Sequence, residues 1–171
     1  MALFYSRREK VLWWIIAVLT LLIYSTLGLT RSLFTFLESH GVLTIFYVLG
    51  FGLVLLAILT NGLRVRPRGL HLGLSLGVIA VLVLLCARLG LGTERTHLIE
   101  YGALGLLVYE ALRERQVQGK LVWPPIVLAI IITSFIGLVD ELLQIPLEDR
   151  YFDYRDIFFN FLAATLSISA S

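Results

Sequence analysis

The stretch Asp140–Asn160, DELLQIPLEDRYFDYRDIFFN, decides how this chain is read. An apolar run closes on two adjacent carboxylates, Asp140 and Glu141, and a second group of charges precedes the next apolar run. Pro146 ends the first run after Gln144, because proline lacks the N–H that a continuing helix needs. Asp153 and Asp156 then stand where an N-cap and a third helical residue would, an acidic version of the capping box. The pattern is two helices joined by a short charged loop, with polar chemistry gathered at the joint.

Composition sets the medium around that joint. Of 171 residues, 58% are hydrophobic and 15% charged, against about 25% charged in soluble domains. An integral membrane protein follows. A helix needs about 20 apolar residues to cross a bilayer, so the length leaves room for about six spans in one compact bundle. The fold class expected is all-α, a polytopic transmembrane helix bundle. The formal net charge of +2 gives no basic surface for nucleic acid. Cys86 is the single cysteine and sits in an apolar run, so no intrachain disulfide and no thiolate metal cluster can form.

Six spans are predicted, at about residues 11–29, 42–63, 70–89, 96–113, 125–144 and 154–171. The first three make an N-terminal region, 1–92, and the last three a second region, 93–171. Arg7, Arg8 and Lys10 precede the first span, which lacks the short core and small-residue site of a cleaved signal peptide and is read as an anchor. Thr30 to Gly41 mixes Phe34, Phe36 and Leu37 with Arg31, Glu38 and His40, as a short helix in the interface would. Gly69, Gly73 and Gly77 form a small-residue ridge suited to close helix packing or to a homodimer contact. Pro124 and Pro125 suit the first turn of the fifth span.

Charge orients the bundle. Arg7, Arg8, Lys10, Arg64, Arg66, Arg68, Arg113, Arg115 and Lys120 fall on one side of a six-span arrangement, and Arg31, Arg88, Arg95, Arg150 and Arg155 on the other. The first side is therefore cytoplasmic, and both termini with it. The start of span four, the end of span five and the start of span six then share the extracytoplasmic side, where Arg95, His97, Glu100, Tyr101, Asp140, Glu141, Gln144, Arg150, Asp156 and Asn160 can meet. His97 with Glu100 and Tyr101, Glu141 with Gln144, and Asp156 with Asn160 are spaced to share helix faces. Asp140 and Glu141 lie about 100° apart around their helix, so both cannot point along one line into the bundle, and one of them faces a neighbouring helix or the loop. Glu141 lies roughly 10 Å from the middle of its span, within the hydrocarbon edge, and must be partnered. Arg150 is the expected bridge from Glu141 to Asp156 or Glu100.

The residues HLIEYG at 97–102, DELLQ at 140–144, Arg150, Asp156 and Asn160 resemble, in order and spacing, the VanZ family of bacterial membrane proteins. The resemblance covers about residues 95–165. The chain departs from the family pattern at Glu148-Asp149, where Pro-Gly often precedes the arginine, and at Ala163, where a glycine usually follows the asparagine. What the resemblance implies is a multi-pass protein of the bacterial cytoplasmic membrane in the cell envelope. The family takes its name from an accessory protein of resistance to the glycopeptide teicoplanin, and it carries no agreed biochemical activity.

Three functions are open to these residues. The polar group can bind a lipid headgroup, a lipid-linked glycan or a glycopeptide, with Arg95 and Arg150 as anion contacts. It can be structural, in an accessory subunit of a larger membrane complex. It can be the centre of a membrane hydrolase or transferase, with His97, Glu100, Glu141 and Asp156 as acid–base groups or metal ligands. Binding is favoured. The motif holds no nucleophile beyond Thr93 and Thr96, and it offers a single histidine where zinc sites usually have more. A hard, oxygen-liganded ion such as Mg2+ or Ca2+ is less excluded than zinc, but no metal and no cofactor are expected. Ordinary ion pairing explains Glu110, beside Arg113 and Arg115.

Overall fold

A computed structural model describes residues 3–27, 30–64, 93–147 and 152–170. Every regular element among them is an α-helix: α1 Arg7–Thr26, α2 Thr30–Ser39, α3 Leu43–Arg64, α4 Thr93–Val117, α5 Pro125–Gln144 and α6 Tyr154–Ser169. The span predicted at 70–89, with the glycine ridge at Gly69, Gly73 and Gly77, lies outside the described residues.

Three helices are long and apolar enough to cross a membrane, α1, residues 43–60 of α3, and α5. Their outward faces are apolar, with Ile15, Val18 and Leu22 on α1, Leu49, Leu53 and Leu56 on α3, and Ile131, Phe135 and Leu142 on α5 all exposed. An apolar exterior of this kind suits lipid rather than water. The other two long elements do not meet that description by themselves. Helix α4 carries ionisable residues through both ends, and α6 has only 16 residues, or about 24 Å at 1.5 Å per residue.

Helix α4 is nevertheless the centre of the bundle, packing against α6, α5, α1 and α3. Leu98, Tyr101, Leu104, Val108 and Ala111 along it are fully buried. The most charged long helix is enclosed by more apolar ones, which buries His97 and Glu110 along it. Its closest neighbour is α6, and small residues permit the approach. A methyl group at Gly105 would lie 3.1 Å from Ala164 Cα, and one at Gly102 would lie 2.9 Å from Ser167 Oγ. This is the close packing of small residues expected in membranes, found here between α4 and α6.

Helix α1 begins one turn before the predicted span because Ser6 caps it. Ser6 Oγ accepts from the Glu9 N–H at 3.0 Å, and Glu9 reaches back to the Tyr5 N–H at 2.8 Å. Proline sets both ends of α5, with Pro125 as its first residue and Pro146 just past Gln144. Helix α2 is the amphipathic segment predicted beside the second span, and Gly41 follows it with φ +67°. His40 is exposed and folds back on its own helix, its Nδ1 2.8 Å from the Phe36 carbonyl.

Candidate functional site

Two polar groups occupy opposite ends of α4. At its C-terminal end, Glu9 of α1 is fully buried and accepts from Arg115 Nε at 2.6 Å. Arg115 also donates to the Leu3 carbonyl at 2.7 Å. Arg8 reaches Glu110 at 2.6 Å and Glu114 at 3.5 Å, and Ser6 Oγ donates to Glu114 at 2.9 Å. Glu110 is also 3.5 Å from Arg113, so the expected local ion pair exists. The partners from α1 extend it into a clasp between helices, and sequence spacing gave no sign of that.

At the other end, three helices bring their polar faces together. His97 and Tyr101 come from α4, Asp140, Glu141 and Gln144 from α5, and Asp156 and Asn160 from α6; all seven are buried. His97 lies between two carboxylates. Its Nε2 is 3.6 Å from Asp156 Oδ2 and its Nδ1 is 4.0 Å from Asp140 Oδ2. The imidazole also stacks on the Tyr101 ring, with centroids 6.0 Å apart.

Asp140 and Glu141 divide as helical geometry requires. Asp140 turns toward α4 and His97, and Glu141 toward the start of α6. Glu141 Oε1 accepts from Gln144 Nε2 at 2.9 Å, one helical turn on, and Oε2 accepts from the Asp153 N–H at 3.3 Å. Asp153 is the N-cap of α6, accepting from the Arg155 N–H at 2.8 Å. The capping box predicted for Asp153 and Asp156 is formed only by Asp153. The Asp156 carboxylate points to His97 across the helix interface, where it offsets a buried imidazole.

Asn160 lies one turn beyond Asp156 and packs on Gly137, one turn before Glu141. A methyl at Gly137 would stand 2.8 Å from Asn160 Nδ2 and 2.9 Å from its Cβ. Neither amide atom of Asn160 has a hydrogen-bond partner among the described residues, and the same holds for His97 Nδ1. Glu100 is partly buried on α4 beside this group. The side chain of Arg95, and Arg150 altogether, lie outside the described residues, and so does the predicted Arg150 bridge.

Sequence reasoning missed two contributors. Tyr24 of α1 donates to the Ile136 carbonyl at 2.8 Å, one turn before Asp140, and Gly137 clears the space that Asn160 fills. Tyr24 is the only tyrosine in the first apolar run, and Gly137 shares a face with Glu141; those were the signals available. No family model, curated protein or solved structure matches this chain.

Proposed function

We propose that this chain is a VanZ-like multi-pass protein of the bacterial cytoplasmic membrane whose buried polar cluster binds the polar end of an envelope lipid, a lipid-linked glycan or a glycopeptide. The observation that carries the reading is Asn160. A fully buried amide with no partner for either atom among the described residues costs stability. Groups that bring both donors and acceptors, as glycan hydroxyls and headgroup amines do, complement that amide. Arg95 and Arg150 are the anion contacts that this reading expects from the sequence. Lipid mass spectrometry on the protein purified with native lipid tests this. Asn160→Ala should fold and lose the retained lipid, whereas retention equal to wild type would leave the accessory-subunit reading in its place.

The placement of His97 between Asp140 and Asp156 favours a second reading. With Asp156 facing Nε2 and Nδ1 without a hydrogen-bond partner among the described residues, the ring has one oriented nitrogen and one that can take a proton, as a general base needs. A hydrolase or transferase acting on the same polar end would use His97 in that role.

Both readings place the cluster on the extracytoplasmic side of six spans, with both termini in the cytoplasm. Arginine density in residues 64–68 supports that orientation. Single cysteines at Arg66 and Asp153, in a variant with Cys86 replaced by alanine, should react with an impermeant reagent from opposite sides of the membrane.

A further inference from the structure

His97 is 4% exposed, and its Nδ1 finds no hydrogen-bond partner among the described residues. Asp140 Oδ2 is nearby but 4.0 Å away, too far for a hydrogen bond. Tetrahedral ligands bonded at about 2.0 to 2.2 Å stand about 3.4 Å apart, so the two atoms are roughly half an ångström from the separation that two ligands of one ion take. Glu141 extends the same geometry. One donor atom from each of His97, Asp140 and Glu141 can be chosen so that all lie within 4.8 Å of one another, and closing them on a common centre takes side-chain shifts of about an ångström.

We propose that His97 Nδ1, Asp140 and Glu141 form a binding site for a divalent transition-metal ion, of the Mn2+ or Zn2+ class. The surroundings are those that orient metal ligands. A metal-bound histidine normally offers its other ring N–H to a carboxylate, and Nε2 here faces Asp156 Oδ2 at 3.6 Å. A ligating carboxylate is normally held by hydrogen bonds, and Glu141 accepts from Gln144 and from the Asp153 N–H.

The donor set selects the ion class. Imidazole nitrogen favours zinc and later transition metals over calcium and magnesium, while carboxylate oxygen accommodates manganese; no thiolate is present to favour softer ions. Three protein ligands leave at least one coordination position for water or for an oxygen of a bound molecule. This reverses the expectation from sequence that no metal binds. The expectation rested on counting histidines, whereas two carboxylates and the Asp156 partner do much of the ligating and orienting here.

The site stands on these side chains and not on the lipid reading, so it is tested on delipidated protein. The full chain in detergent is stripped with EDTA, incubated with Mn2+ or Zn2+, desalted and analysed for metal. Wild type should retain a single equivalent, and Glu141→Gln should lose it. Asp156→Asn, which keeps all three ligands, should weaken binding about 10- to 100-fold, and Glu110→Gln at the far end of α4 should leave it unchanged. Because a ligand variant can fail to fold, wild type loaded with Mn2+ is also examined by pulsed EPR, where a bonded imidazole gives nitrogen modulation. The proposal is overturned if neither ion is retained, if nitrogen modulation is absent, if Glu141→Gln retains metal like wild type, or if only Mg2+ or Ca2+ is held.

Discussion

At one end of α4, Glu9 is fully buried and still has Arg115 at 2.6 Å and the Tyr5 N–H at 2.8 Å; at the other, Asn160 is fully buried and has neither amide atom paired among the described residues. Both ends put polar groups where burial is costly. At the first, Glu110 and Glu114 also have Arg8 within ion-pairing distance, so each acid meets a guanidinium. At the second, the described residues meet Glu141 and Asp156 with an amide, a backbone N–H and an imidazole. A clasp that has only to join α1 to α4 can satisfy itself from within the chain. At the second end, the amide of Asn160 and the Nδ1 of His97, unpaired among the described residues, are what a bound molecule or ion can use.

The comparison makes its largest demand at Arg115. Arg115→Ala leaves the Glu9 carboxylate buried without its cation and should cost about 3 kcal/mol, the low end of the range for a broken buried pair because Arg115 is 28% exposed. SDS titration of the folded protein in mixed micelles measures it, and a loss below about 1 kcal/mol would place this pair among ordinary surface ones. Next comes Gly137→Ala, which should destabilise by roughly 1 to 3 kcal/mol through the clash with Asn160. Adding Asn160→Ala should restore part of that, since the contact with the Asn160 Cβ at 2.9 Å remains. Additive effects in the double variant would mean that the two residues do not meet.

The smallest effect expected is the most informative. Asn160→Ala alone removes an amide without partners among the described residues, so the lost packing and the relieved polar burial roughly cancel, within about 1 kcal/mol. The same titration checks this. A loss of 3 kcal/mol or so would show that Asn160 has a structural partner and would erase the contrast between the two ends.

The membrane class, the ends of α5 and the polar faces of α4, α5 and α6 were all legible in the residues. Each depends on local chemistry: apolar runs, prolines at Pro125 and Pro146, and side chains three or four positions apart on one helix. The direction of Asp156 was not legible, because an acid at the third helical position serves the cap or a neighbouring helix equally well until that neighbour is in place. Likewise, the sequence marked Glu110 for a nearby arginine but gave no hint of Arg8, 102 positions away. Nor could composition put the charged α4 in the middle, with Gly102 and Gly105 against α6. Helix identity comes from short-range periodicity, whereas the choice of partner depends on which surfaces close together. In this chain only the tertiary structure brought His97 between Asp140 and Asp156, and so turned separate polar faces into a single site.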